Sequence, residues 1–486
     1  MKKKPFYITT TLPYVNAEAH LGHALEFVRA DIIARWKKLE GLEVFFNTGA
    51  DEHGQKIALA AEKSGKSPQE YVDEYSKKLQ SLQKTLGLSD DIHFIRTTDK
   101  NHIKAAQEFW KRVAKNGFIY KKNYKSKYCV GCELEKTDSE LENGRCPIHP
   151  NLEIEIIDEE NYFFRFSSFK GYLLDFYGKN PNFVIPDFRY NEAKAFVERG
   201  LSDFSISRLK SKMSWGIPVP DDGDQVMYVW FDALVSYIST LGWPKDEKNF
   251  EKFWTNGTPT QYCGKDNTRF QAVMWQAMLM AANLPPTNTV VVDGFITGEA
   301  GVKMAKSLGN VVSPIELVNE YGTDALRYFL AREVSPFEDS PFTIERFKAA
   351  YNSGLANGLG NLVSRLMTLS EKYIKNRVLE LILEDTEKRS ENVFITDAFN
   401  SFNINLVCEM IWDGIAKLDK KISDGEVFKV VKSDNAKAIQ MLTEYLFDLG
   451  IIAYQLKPIL PTTSEEIISV MKSNRKPPAP LFARKD

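Results

Sequence analysis

At 486 residues the chain is too long for one hydrophobic core, and two to four domains are expected. Its 43% hydrophobic and 26% charged residues are those of a globular protein, and no apolar run approaches the ~18 residues that a membrane-spanning helix needs. The net charge of −2 lacks the strongly basic balance common in nucleic-acid binders, and five cysteines, an odd number, argue against a secreted disulfide framework. With Met1-Lys2-Lys3-Lys4-Pro5 running straight into a strand and no hydrophobic leader, a reducing cytoplasm is the expected compartment.

Phe6 to Leu12 is β-branched and aromatic, as a strand should be. After Pro13 the chain turns, and Leu21, Leu25, Val28, Ile32, Trp36 and Leu39 recur at helical spacing up to Gly41. Where this helix begins, His20-Leu21-Gly22-His23 places two histidines three apart, on one face of the first turn. A first turn offers N–H groups and the positive end of the helix dipole, a seat for phosphate, and Gly22 lets a ligand approach the backbone. A strand over 43–48 follows, leading into Gly49-Ala50-Asp51-Glu52-His53-Gly54, then helices near 68–86 and 100–116. Strand–helix alternation over 1–116 predicts a doubly wound parallel sheet.

From about 117 to 225, aromatics, lysines and short β-like runs dominate, which reads as an inserted domain. Within it, Cys129-x2-Cys132, thirteen residues and Cys146-x2-His149 form a four-ligand set. Two residues between ligands let a tight turn aim both side chains at one ion, and Cys3His suits a tetrahedral Zn2+ closed to substrate, hence structural. Cys263 and Cys408 read as small core residues.

The α/β pattern resumes over 226–344 with Gln225–Phe231, a helix over Arg269–Asn283 and the apolar strand Val290-Val291-Val292. Lys303-Met304-Ala305-Lys306-Ser307, flanked by Gly301 and Gly309, puts two lysines in a loop suited to clamp a polyphosphate. From 345 to 486 helical patterns rule, with Leu355, Leu359, Leu362, Leu366 and Leu369 on one stripe, so an all-α domain is expected. The Pro-rich basic stretch 473–480 predicts a frayed end. From Tyr351 onward, Lys and Arg are as many as Asp and Glu, so composition gives no sign of RNA binding there.

The histidine and lysine segments, with Pro13-Tyr14-Val15-Asn16 leading into the first and Tyr228-Val229-Trp230-Phe231-Asp232-Ala233 and Gly264-Lys265-Asp266 between them, resemble class I aminoacyl-tRNA synthetases, and the methionyl-tRNA synthetases in particular. The resemblance covers most of the chain and weakens over the last hundred residues. It implies ATP-dependent activation of L-methionine to methionyl-adenylate, with Mg2+ accompanying ATP, and transfer to the 3′ end of tRNA(Met). It also implies a Rossmann-like catalytic domain split by the zinc-bearing insertion and followed by an anticodon-binding helical bundle.

By the same resemblance, His20 and His23 would donate to phosphate oxygens, and Lys303 and Lys306 would hold pyrophosphate. Gly22, Glu26, Gly264 and Asp266 match adenosine-binding positions, while Asp51 would take the substrate ammonium. Leu12, Tyr14, Trp230, Ala233, Leu234 and Tyr237 match the thioether pocket. Asn361 and Arg365, four apart on a helix, match anticodon-reading positions. Cys129, Cys132, Cys146 and His149 match a zinc knuckle of one subgroup.

Three positions depart from the family pattern. Ala305 replaces a serine, Asp293 stands where many relatives carry His and would make a pocket more acidic, and Val427-Phe428 falls where a Pro-Trp pair is usual, leaving Phe428 as the stacking candidate. These departures keep two other readings open: a class I enzyme of another specificity, or a catalytically idle tRNA-binding protein. Intact His20, His23 and Lys306 favour an enzyme, and the length and Cys3His set favour methionine. A monomer is expected, because the chain stops soon after the helical domain.

Overall fold

The computed structural model describes residues 3–16, 18–132, 134–298, 301, 312–389 and 393–485. They form two compact units: 1–19, 42–81 and 91–292 make the first, and 20–41, 82–90 and 293–486 the second. No helix among the described residues is long and apolar enough to cross a membrane.

The first unit is built on a six-stranded sheet in the order β3-β2-β1-β12-β13-β7. Its strands are β1 (Phe6–Thr10), β2 (Val44–Ala50), β3 (His93–Arg96), β7 (Val184–Ile185), β12 (Thr258–Gly264) and β13 (Thr289–Asp293). β1 pairs in parallel with both β2 and β12, and β2 with β3, so these four strands end on one edge of the sheet. β1 is buried along its whole length, which accounts for its unbroken apolar and threonine run rather than a polar–apolar alternation. The core behind it is aromatic: Tyr7, Phe109, Phe231, Trp243, Trp254 and Trp275 are all nearly inaccessible.

Short helices cross between strands. α2 (Gln55–Lys63), which the sequence reading missed, follows Gly54, and α3 (Pro68–Thr85) and α4 (Lys100–Lys115) lie where expected. The insertion carries a four-stranded antiparallel sheet, β5-β4-β6-β8, made of β4 (Ile119–Cys129), β5 (Leu134–Lys136), β6 (Glu155–Phe164) and β8 (Phe204–Ser205). The segment 225–231, where the α/β pattern resumes, divides between a strand and a helix. Strand Asp222–Met227 ends, and Val229–Ala233 is helical, with Leu234 and Val235 keeping right-handed helical angles into helix Ser236–Ser239.

The second unit contains α1 (Leu21–Leu39) and the helices from Ile344 onward. Its core holds charge as well as apolar surface. Asp31 of α1, fully buried, meets Arg327 at 2.8 Å and Arg35 at 2.7 Å and accepts from the Ser89 N–H and hydroxyl. Burial alone would raise this carboxyl, but Arg327 and Arg35 outweigh it and hold the group below the usual carboxylate range. Leu355, Leu359, Leu362 and Leu366 are fully buried as the stripe predicts, while Leu369 is half-buried.

The frayed tail expected at 473–480 is not found. Asn474 is buried and bonds Ser370 and the Ile374 carbonyl, Phe482 is buried, and the Ala483 carbonyl accepts from Tyr351. Side-chain hydrogen bonds and one apolar anchor outweigh the Pro-rich composition.

Candidate active site and metal centre

Because β2, β1 and β12 are parallel neighbours, the residues after their carboxyl ends share one edge, where open α/β sheets bind ligands. Leu12 and Tyr14 follow β1, Asp51 follows β2, and Gly264 and Asp266 close β12. The Asp51 N–H donates to the Pro13 carbonyl at 2.9 Å, and its carbonyl accepts from Val15 at 3.1 Å, so the backbone of the Tyr14 and Asp51 segments is locked together. Asp51 itself is nearly buried.

Trp230, Ala233, Leu234 and Tyr237 recur at i, i+3, i+4 and i+7 along the helical stretch from Val229, and so share a face. Trp230 stacks on Phe270, with centroids 3.8 Å apart and planes within 6°. Its indole Nε1 is buried with no hydrogen-bond partner among the described residues. Behind Tyr237 runs a buried amide chain in which Gln271 donates to the Tyr237 hydroxyl and Gln261 donates to Gln271. The strands thus present a carboxylate, apolar walls and one oriented hydroxyl.

Two residues flanking this set were quoted above as parts of motifs without roles, and a third was missed. Asp232, fully buried, bonds His53 Nδ1 through Oδ2 and His102 Nε2 through Oδ1, each at 2.7 Å. Burial pushes its carboxyl up, but His53 and His102 outweigh that and leave it below its ordinary range. A carboxylate only accepts, so both imidazoles donate to it, and the other ring nitrogen of His102, Nδ1, lies 2.9 Å from Ser239 Oγ. The available signal for His102 was its place in the apolar stripe of α4, alongside Ala106, Phe109 and Val113.

Three clusters lie in the second unit. At the start of α1, His20 is the N-cap; its Nδ1 accepts from the Gly22 N–H at 3.1 Å, and His23 Nδ1 accepts from the His20 N–H at 3.4 Å. The rings stack 3.9 Å apart. Burial, with His20 adding to it, drives His23 well below the ordinary imidazole range, so it is neutral near pH 7. With both Nδ1 atoms accepting, each ring carries its proton on Nε2. A Cβ at Gly22 would sit 2.9 Å from the His20 ring, so the stacked imidazoles themselves call for glycine there. Glu26, half-buried, lies one turn further along α1.

Asp293, the last residue of β13, is buried and meets fully buried Arg29 of α1 at 3.1 Å. Arg29 also donates to the carbonyls of Leu330, Val334, Ser335 and Pro336. The added acidity expected of Asp293 is therefore compensated by a guanidinium. Lys303, Ala305 and Lys306 lie outside the described residues.

In the helical region Asn361 and Arg365 project one turn apart from helix Asn361–Tyr373. Arg365 pairs with Asp419 at 2.5 Å and bonds Ser423. Phe428 is 57% exposed, enough to leave a ring face open, with Lys429 Nζ 5.8 Å from its centroid.

In the first unit's insertion, Cys129, Cys132, Cys146 and His149 bring their ligand atoms within 4.8 Å of one another. Cys132 Sγ lies 3.5 Å from Cys146 Sγ and 3.3 Å from His149 Nδ1. A tetrahedral ion with ~2.3 Å bonds to sulfur sets ligand atoms about 3.8 Å apart, so the donor set fits a metal ion. A Cβ at Gly131 would fall 2.4 Å from the His149 ring, which explains the glycine within the turn. Cys263 is buried at the end of β12, and burial pushes the Cys408 thiol up to about 12, so both behave as core residues.

The family model described as tRNA synthetases class I (M) matches residues 6–154 and 135–367. Fold and match together define a class I tRNA synthetase. The methionine–tRNA ligase of Thermotoga maritima is 39% identical over 97% of this chain and 76% of its own length, and that of Nostoc sp. is 40% identical over 96% and 89%. A Mycobacterium tuberculosis methionyl-tRNA synthetase in complex with methionyl-adenylate superimposes with a TM-score of 0.89 at 32% identity, covering 99% of this chain and all of that one. The chain belongs to the methionyl-tRNA synthetase family.

Proposed function

We propose that this enzyme is a methionine–tRNA ligase: it activates L-methionine with ATP to methionyl-adenylate and transfers the methionyl group to the 3′ end of tRNA(Met). The observation carrying this reading is the paired imidazoles at the start of α1, both with Nδ1 engaged by backbone N–H groups and both aiming Nε2–H as the donor. That tautomer is the one needed to donate to phosphate oxygens as charge builds on the α-phosphorus, a transfer catalysed chiefly by positioning and charge stabilisation.

In this reading His20, His23, Lys303 and Lys306 stabilise the polyphosphate, with Mg2+ travelling with ATP. Gly22, Glu26, Gly264 and Asp266 hold the adenosine, and Asp51 takes the substrate ammonium. Leu12, Tyr14, Trp230, Ala233, Leu234 and Tyr237 enclose the thioether, with Asp293 at its margin. Met offers only apolar bulk and a weakly accepting sulfur, so stacked Trp230 and the oriented Tyr237 hydroxyl suit it. Asn361, Arg365 and Phe428 read the anticodon by edge hydrogen bonds and stacking.

Cys129, Cys132, Cys146 and His149 would hold a Zn2+ that cross-links the insertion and takes no part in the chemistry. The catalytic domain comprises 1–116 and 226–344, the insertion 117–225 and the anticodon domain 345–486. The working state is a cytoplasmic monomer.

Charging of a tRNA(Met) transcript with radiolabelled methionine tests this. Wild-type protein is expected to charge it, and a His20→Ala/His23→Ala double variant to lose the adenylation rate by on the order of a hundred-fold or more. A double variant as fast as wild type would remove the imidazoles from the reaction.

A further inference from the structure

The three consecutive residues Asp51, Glu52 and His53 are fastened on alternate sides. In an extended segment residues 51 and 53 share one face and residue 52 points to the other. Glu52, fully buried, takes Arg96 Nε at 2.6 Å and the hydroxyls of Ser76 and Thr98, while its N–H donates to Thr97 Oγ1 at 2.9 Å. Its carbonyl accepts from the Trp215 indole, and the next N–H, that of Gly54, donates to the Trp215 carbonyl. His53 is tied the other way, to Asp232.

Asp232 sits two residues from Trp230, about 200° round the helix, so it anchors the face opposite the one that carries Trp230, Ala233, Leu234 and Tyr237. Its second oxygen is held by His102, which reaches from α4 and is braced by Ser239, whose carbonyl accepts from Asn101. One carboxylate therefore joins the segment after β2, the helix of the aromatic wall and the start of α4, and all the residues in the join are buried. A network of this kind, with each member satisfied, fixes side chains in a way that separate contacts do not.

We propose that Asp232, His53 and His102 are positioning residues for amino-acid recognition: they set the spacing between the Asp51 carboxylate and the Trp230–Tyr237 face, and so tune affinity for methionine rather than for ATP. This inference rests on the assignment of Asp51 and Trp230 to the methionine site. It accounts for a buried charge placed 130 and 179 residues from its two partners, where an apolar core would serve packing equally well.

The test is ATP–pyrophosphate exchange with the full chain carrying His102→Gln, His53→Gln or Asp232→Asn, read as separate KM values for methionine and ATP. Active-site titration by adenylate formation corrects each for the folded fraction. The expected result is a KM for methionine raised on the order of ten-fold in His102→Gln and further in Asp232→Asn, with the KM for ATP within about two-fold of wild type. Ser239→Ala, which removes only the outer brace, is expected to show a smaller rise in the same direction. Should Asp232→Asn fail to fold, His102→Gln and Ser239→Ala carry the comparison. Variants whose active fraction falls while both KM values stay at wild-type levels would overturn the proposal, since that is the signature of packing alone. Equal rises in both KM values would overturn it as well. Absence of methionine-dependent exchange in wild-type protein would instead strike the functional assignment beneath it.

Discussion

The Cys3His knuckle and the Asp232 network are both four-sided polar arrangements in the first unit, yet they are built in opposite ways. The knuckle's ligands fall within 21 residues of chain, from Cys129 to His149, on two tight turns whose spacing carries the geometry. The network's members come from three distant segments and meet only because the sheet order brings β2, α4 and the helix after Met227 together. Local sites announce themselves as spacing, whereas long-range sites are properties of topology. The same contrast holds for their failure: the knuckle should fail locally and completely, the network remotely and by degrees.

The largest expected effect tests the first half of that contrast. Metal binding in small Cys/His knuckles is worth about 10–16 kcal/mol of local folding free energy. Cys146→Ser is expected to remove one equivalent of zinc per chain by elemental analysis and to make residues 130–153 the first site of proteolysis. Unchanged zinc content and protection would show that the turns hold without the ion.

Next comes another long-range contact, Arg29 with Asp293. Removing one partner of a buried pair strands the other charge, at a cost of about 3–5 kcal/mol. Arg29→Met is expected to lower the unfolding midpoint sharply, and adding Asp293→Asn to recover a good part of it. Asp293→His, the replacement suggested by the family resemblance, is expected to be costly here because Arg29 would lose its carboxylate. A harmless Arg29→Met would show that the pair carries no weight.

Asp31 gives a pH prediction with a definite sign. Its folded-state pKa is depressed, so its stabilising contribution is present above the unfolded value near ~3.9 and is lost as pH falls through the lower folded value. Urea midpoints should therefore fall below about pH 4, and less steeply in an Asp31→Asn protein, already weaker at neutral pH. Parallel curves for the two proteins would contradict this.

The smallest effect is at the loop. Ala305→Ser restores one hydroxyl, worth about 0.5–1.5 kcal/mol, and adenylation is expected to stay similar or rise modestly. A large fall in rate would mean that alanine is required there.

What the sequence revealed follows the same division. Strands β1 and β2, helices α1, α3 and α4 and the Cys3His set were legible within a residue or two, because each is encoded by local periodicity or spacing. The break at Tyr228 was not, because an apolar run of that length fits strand or helix equally well. His102 looked like one polar residue in an apolar stripe, and its purpose depends on Asp232, 130 residues away. Arg29 and Asp293 are a similar case: each is odd alone, and together they cancel. The docked tail was missed because its anchors, Ser370, Ile374 and Tyr351, lie about a hundred residues earlier.

The most direct test of the assignment is ATP–pyrophosphate exchange with each of the twenty amino acids in turn, without tRNA, on zinc-loaded protein. Exchange supported by methionine far above the other nineteen is the predicted result. Exchange driven by a different amino acid, or none at all from folded protein, would contradict it.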